Sequence, residues 1–163
     1  MTKPGPKPRP PEERFWPKVD KSGDCWLWTG GTVQGYGSFG IPPDRKVRAH
    51  RFAYELLVGP IPPGMGLDHR PTCPKNCVNP EHLRPANQKQ NMENLTGAQK
   101  NNLSSGIRGV TWDKTRGRWR AQLQHHGKMV YAGYFDTVEE AQAAAVAKRL
   151  ELFTHNDVDR IFS

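Results

Sequence analysis

Four residues stand out for the chemistry their types permit. Asp68 and His69 are adjacent, His82 follows, and Asn91 comes nine positions after His82. Phosphodiester hydrolysis needs a base to activate water and a cation to stabilise the leaving 3′ oxygen. Imidazole suits the base, because its ordinary pKa is about 6.5. Asp68 and Asn91 offer hard oxygen ligands, which favour Mg²⁺ or Mn²⁺ over Zn²⁺. Adjacent Asp-His pairs are common, so the spacing alone leaves a purely structural role open.

A strand–strand–helix unit would bring these residues to one point. Gly66 to His69 reads as a short strand, and His82 to Pro85 as its return. Asn87 to Asn94 reads as a helix, with Asn87 at the N-cap and Gln90 at the third helical position. Upstream, Cys25 to Trp28 reads as a buried strand. Gly35 to Gly40 and Lys46 to Ala49 read as a hairpin turned by Pro42-Pro43-Asp44. Ala49 to Val58 reads as a helix with Phe52, Leu56 and Ala53 on its apolar face, stopped by Gly59-Pro60.

Three cysteines cannot all pair within one chain. Two readings of them stay open: buried free thiols, or a structural Zn²⁺ site using Cys25, Cys73, Cys77 and a histidine such as His50. No C-x-x-C pair is present to decide between them.

A second region has a different pattern. Ile107–Trp112, Arg118–Gln124 and Met129–Tyr134 read as three strands, and Thr137 to Phe153 as an alanine-rich helix with a Thr137/Glu140 capping box. In the middle strand Arg118, Arg120, Gln122 and Gln124 alternate with Trp119, Ala121 and Leu123. One face is therefore basic and amide-bearing, and the other apolar. Ala141, Ala144, Ala145 and Ala147 let the helix lie close on the apolar face. Arg and Gln remain outward, and these side chains suit guanine and adenine edges in a major groove.

Composition agrees with two small cores. The chain has 163 residues, with 16 Gly, 15 Pro and a hydrophobic share of 35%. The expected divisions are a basic Pro-rich disordered arm at 1–14, a first domain at 15–95, a polar linker at 96–105, a second domain at 106–155 and a tail at 156–163. A net charge of +8 favours a polyanionic partner. There is no apolar run long enough for a membrane span and no apolar stretch near Met1, so a cytoplasmic location is expected.

Two resemblances sharpen this. Leu67-Asp68-His69, Cys77 to Leu83 and Asn91, with Cys25 to Gly30, Gly35-Tyr36-Gly37 and Ala49-His50-Arg51, resemble the HNH endonucleases of bacteriophages and mobile introns. The resemblance spans about residues 16–95. It implies an α+β protein with a ββα-metal nuclease domain. It also implies that Asp68 and Asn91 are metal ligands, that His69 is the general base, and that His82 occupies the place of the family's middle Asn, which aligns the base. Asn79 is a rival for that last place. The order Asp-His, His, Asn is closer to the Mg²⁺-type homing nickases than to the colicin type.

Gly106 to Val110, Gly117-Arg118-Trp119, Ala132 to Asp136 and Thr137 to Ala141 resemble the Apetala-type (ethylene-response-factor) DNA-binding domain, over about 104–155. This implies a three-stranded antiparallel sheet on one helix, with DNA contacts by Arg108, Arg118, Gln122, Gln124 and Tyr131. Thr111, Trp112 and Asp113 replace the usual Arg-rich turn, so no plant target site carries over.

Together these readings describe a monomeric homing-type endonuclease that hydrolyses double-stranded DNA into 5′-phosphate and 3′-hydroxyl ends. Arg70, Arg84 and Lys89 are close enough in sequence to hold the scissile backbone. Two rivals are a non-catalytic DNA-binding regulator with a decayed nuclease domain and a structural zinc module.

Overall fold

A computed structural model describes residues 9–95, 97–98, 100 and 102–162. The first eight residues of the expected arm, and Thr96, Gln99 and Asn101 of the expected linker, lie outside them. Contacts divide the chain into two units, residues 1–87 and 88–163.

The first unit begins with helix α1 (Pro11–Phe15), where a disordered arm was expected. Pro11 sits in the first turn, where its missing N–H costs nothing, and Glu12 and Glu13 suit the positive end of the helix dipole. Phe15 is fully buried, in contact with Trp28, Phe39 and Phe52 at ring-centroid distances of 5.0, 5.1 and 4.8 Å. Phe15, which follows the expected arm, is therefore a core anchor, and this apolar contact holds α1 in place.

Strands β1 (Val19–Asp20) and β2 (Leu27–Trp28) form a short antiparallel pair. Cys25 and Trp26, expected within the second strand, lie outside it. Strands β3 (Thr32–Val33), β4 (Tyr36–Ile41) and β5 (Arg45–Arg48) make an antiparallel sheet in the order β3-β4-β5. Helix α2 (Ala49–Leu57) follows at once. A Cβ on Gly37 would stand 2.7 Å from both the Ala49 Cβ and Trp28 Cδ1, so only glycine allows β4, α2 and the indole to approach this closely. That approach selects the buried face of α2. Ala49, His50, Ala53 and Tyr54 are buried, Phe52 packs at the margin, and Leu56, expected in the core, is 39% exposed.

Strands β6 (Gly66–His69) and β7 (Leu83–Ala86) form the hairpin expected for the chemistry, with Asp68 opposite Arg84 and His69 opposite Leu83.

The second unit opens with helix α3 (Gln88–Glu93), which carries Asn91. Glu93 is 3% exposed and accepts hydrogen bonds from the backbone N–H groups of Thr154 and His155. Strands β8 (Val110–Asp113), β9 (Arg118–His125) and β10 (Lys128–Phe135) form one antiparallel sheet with β9 central. Helix α4 (Val138–Leu152) covers one face, and its Thr137/Glu140 capping box is present. Ala141, Ala145, Val110 and Ala121 are fully buried where helix meets sheet, whereas Ala147 faces solvent. Gly109, at φ +83°, lies where a Cβ would stand 2.8 Å from the Gln122 carbonyl oxygen, so the chain enters β8 through a glycine.

Residues 156–162 of the expected tail are structured. Asn156 is fully buried, and helix α5 (Asp157–Phe162) docks through Asp159 onto Arg149 of α4. The chain is thus mixed α and β, with small antiparallel sheets and a three-stranded sheet on a helix, as the sequence pattern requires. No helix among the described residues is long and apolar enough to cross a membrane.

Candidate active site

His69 is the last residue of β6, so the ladder no longer dictates where its ring points. Its Nε2 lies 3.0 Å from the Cys77 carbonyl oxygen. A carbonyl can only accept, so Nε2 carries the proton and Nδ1 the lone pair of the neutral ring. Burial lowers the His69 pKa from its ordinary value. The Cys77 hydrogen bond and the Asp68 carboxylate oppose this without reversing it. The ring is therefore a neutral base at physiological pH.

Two further rings flank it. His50 of α2 lies edge-on at 5.0 Å between centroids, and Tyr36 of β4 at 6.0 Å. His50 is 6% exposed and its Nδ1 has no hydrogen-bond partner. Burial, then the proximity of His69, Arg48 and Arg51, pushes its pKa down to about 3. The unfolded chain takes up this proton below about pH 6.5 and the folded chain does not, so stability falls as pH falls through that window. At pH 5 this single group is expected to cost about 2 kcal/mol relative to pH 8. Urea midpoints at the two pH values check this. His50→Gln should lose most of the difference, and an unchanged difference would place the acid sensitivity elsewhere.

Asp68 is 8% exposed, and its Oδ2 lies 3.4 Å from an Arg84 guanidinium nitrogen across the β6–β7 ladder. A strand-held carboxylate with a hard oxygen donor fits a divalent cation of the Mg²⁺ or Mn²⁺ kind. Arg84 is thus committed to Asp68, whereas Arg70 is exposed and Lys89 pairs with Glu93 within the second unit. Asn91 is exposed on α3.

Beside His69 lies a cluster that sequence spacing only half anticipated. Cys25, Cys73, Cys77 and His82 place their donor atoms within 4.8 Å of one another. The histidine that joins the cysteines is His82, not His50. The expected set fails because α2 commits His50 to the His69 ring. The Cys25 and Cys73 sulfurs are 3.4 Å apart, and the His82 Nδ1 lies 3.6, 3.3 and 3.7 Å from the sulfurs of Cys25, Cys73 and Cys77. His82 Nε2 lies 3.3 Å from Asp24 Oδ2, and the residue is 2% exposed. Both ring nitrogens of His82 are engaged, Nδ1 by the thiols and Nε2 by Asp24. Burial and the neighbouring thiols push the Cys73 thiol up to about 12. Asn79, the rival for the middle position, donates from Nδ2 to the Asp24 carbonyl and accepts from the Glu81 N–H, so it braces the loop.

In the second unit the outward sheet face assembles Arg118, Arg120, Gln122 and Gln124 of β9 with Tyr131 of β10, which pairs with Gln122 in register. Tyr131 is 59% exposed, as suits a contact residue. Arg118 forms a two-pronged pair with Asp136 at 2.8 and 2.9 Å, in full contact with solvent. Arg108 does not join this face. Its guanidinium donates to the carbonyls of Met92, Glu93 and Leu95 at 2.9, 3.0 and 2.6 Å, which satisfies the C-terminal end of α3. Three of the five Arg108 N–H donors are thus held by the end of α3, where a DNA contact was expected.

Comparison with known families finds two matches along the chain, the first of which runs past the end of the first unit into α3. Residues 47–93 match the family described as HNH endonuclease, and residues 105–155 match the AP2 domain. The chain carries an HNH endonuclease domain followed by an AP2 domain. Two relatives come from Escherichia phage T7. Protein 3.8 is 36% identical over 81 residues, covering 50% of this chain and 64% of the relative. Protein 7.7 is 37% identical over 73 residues, covering 44% of this chain and 55% of the relative. The chain therefore spans less than two thirds of either relative. No solved structure matches significantly. The HNH match contains Asp68, His69, His82 and Asn91, and the AP2 match contains the whole β8–β10 sheet and α4.

Proposed function

We propose that the chain is a site-specific, homing-type DNA endonuclease whose AP2 domain selects double-stranded DNA and whose HNH domain cuts it. The observation that carries this reading is the His69 ring. It is neutral, oriented by the Cys77 carbonyl at 3.0 Å, and adjacent to the Asp68 carboxylate. A cut breaks the P–O3′ bond as a water oxygen bonds to phosphorus, leaving a 5′-phosphate and a 3′-hydroxyl. His69 Nδ1 receives the water proton. The family resemblance gives Asp68 and Asn91 as metal ligands; a Mg²⁺ or Mn²⁺ ion held by the Asp68 carboxylate would stabilise negative charge on the phosphate and leaving oxygen. Arg70 is the exposed cation closest in sequence to His69 and contacts the phosphate backbone. On the AP2 side, Arg118, Arg120, Gln122, Gln124 and Tyr131 supply the DNA-facing surface.

The test is a nicking assay on supercoiled DNA carrying the native locus. Relaxed or linear product is expected with Mg²⁺ and none with a chelator. Binding without any cleavage would leave the other reading, a DNA-binding regulator with a decayed HNH domain.

A further inference from the structure

We propose that Arg48 and Lys75, both held against the Tyr36 ring, form a clamp that binds the phosphate backbone of DNA beside His69. The inference rests on the nuclease reading only in taking the bound strand to be the one that is cut.

Tyr36 gathers the two cations. Its ring centroid lies 6.0 Å from that of His69, 4.9 Å from the Arg48 Cζ and 5.4 Å from the Lys75 Nζ. An aromatic face attracts a cation, so one ring holds two positive charges within reach of a single stretch of backbone. Among the described residues neither cation has an acidic partner within ion-pairing distance. Other basic side chains of this unit do: Arg51 pairs with Glu55, and Arg84 with Asp68. Like charges gathered on one ring repel, and a polyanion relieves the repulsion. The neighbouring imidazoles add nothing to the charge, because burial keeps His50 and His69 neutral. The positive charge on the Tyr36 side of the His69 ring is therefore that of Arg48 and Lys75.

Both side chains are held before DNA arrives. Arg48 ends β5, opposite Ser38 in register, and its Nη1 donates to the Val33 carbonyl at 2.7 Å. That bond uses one of five donors and leaves the rest of the fork for phosphate oxygens. Lys75 is exposed, yet its stem lies on the turn between β3 and β4: a Cβ on Gly35 would stand 3.3 Å from the Lys75 Cδ. Gln34 and Gly35 have φ of +55° and +84°, so glycine both keeps this turn tight and leaves the stem its place. The residue after Lys75 fixes its backbone. The Asn76 carbonyl accepts from the Trp28 N–H, and Asn76 Nδ2 donates to the Trp28 carbonyl. Cations fixed in this way lose little freedom on binding, which favours a specific contact over a diffuse one.

Binding of the full chain to a native-locus duplex, measured over a salt series without divalent metal, tests the clamp. Each phosphate contact contributes about 0.9 to the slope of log K against log salt, so Arg48→Gln and Lys75→Gln should each lower the slope by about that amount. Arg48→Lys keeps the charge and should retain the slope, which separates a lost phosphate contact from a lost fold. Arg51→Gln removes a charge already paired with Glu55 and should leave the slope unchanged. With Mg²⁺ present, the two neutral variants should slow single-turnover cleavage by about 10–100-fold, the scale of a lost hydrogen bond to a charged group. An unchanged slope in either neutral variant, an equal fall in Arg51→Gln, or a fall in Arg48→Lys as large as in Arg48→Gln would each overturn the clamp. Lowered slopes with cleavage at the wild-type rate would overturn its place beside the cut. Slopes lowered as expected in a protein that cuts no DNA would count against the nuclease reading and leave the clamp standing.

Discussion

His69→Ala is expected to reduce DNA cleavage by about 10²–10⁴-fold, the usual contribution of a positioned general base, while DNA binding stays at its wild-type level. The ring is half-buried, with the Cys77 carbonyl and the His50 and Tyr36 rings as neighbours, so urea midpoints of the variant serve to separate a lost base from a lost fold. The loss should appear in kcat and not in the affinity for DNA. The pH profile adds a second readout. Because burial lowers the His69 pKa, the acid limb of the wild-type profile should fall below the ordinary imidazole value, and activity should decline as pH drops through it. Single-turnover cleavage on the native locus from pH 5 to 8 measures both. Equal nicking by wild type and His69→Ala would assign the base to another group. Asp68→Asn offers a contrast, because it keeps an oxygen donor but removes the charge. Its defect should ease as Mg²⁺ rises, and the defect of His69→Ala should not.

Much of this was legible from residue order because the signals are local. The β6–β7 hairpin, the β8–β10 sheet and α4 with its cap each announce themselves through period, turn residues or a capping pair within a few positions. The errors share the opposite property. Residues 11–14 read as the end of a polar arm until the helix they form is seen to carry Phe15 into contact with Trp28, Phe39 and Phe52. His82 looked like a helper of the base because its spacing to Asn91 matched a family position, yet its partners are thiols from segments as far away as Cys25. The signal that could have found it was the run from Cys73 to His82 itself: three donors in ten residues, with an acidic residue beside the remote Cys25. Arg108 follows the same rule. The Apetala-type resemblance implies a DNA contact by Arg108, but backbone carbonyls of Met92, Glu93 and Leu95 accept from its guanidinium. Asn156, Asp159 and Arg149 were invisible as a group because a helix of six residues carries little periodic signal.

That last group supports the largest stability effect expected in the second unit. Arg149 is 5% exposed, and its guanidinium spends its donors on Asp159 at 2.6 and 2.9 Å and on the Arg108 carbonyl at 2.8 Å. It joins α4 to α5 and to the turn that enters β8 through Gly109. Burial by itself would raise the Asp159 pKa. Hydrogen bonds from Arg149 and Asn156 overcome this and hold it below the ordinary carboxylate value. Its contribution is therefore present above the ordinary value and lost as pH falls through the folded one. Removing one partner leaves the other charged and away from water. Arg149→Ala should cost about 3–5 kcal/mol, as breaking buried ion pairs does. Small domains have only about 5–15 kcal/mol in total, so α4 and α5 should exchange their amide hydrogens far faster in the variant. The double replacement Arg149→Met with Asp159→Leu removes both charges and should recover most of the loss. Hydrogen exchange of peptides from α4, α5 and, as an internal reference, β4 distinguishes the outcomes. If Arg149→Ala leaves α5 protected, the pair is a surface decoration and α5 docks by other means. If the double replacement is as damaging as the single, the Arg108 carbonyl and not the ion pair is what Arg149 serves.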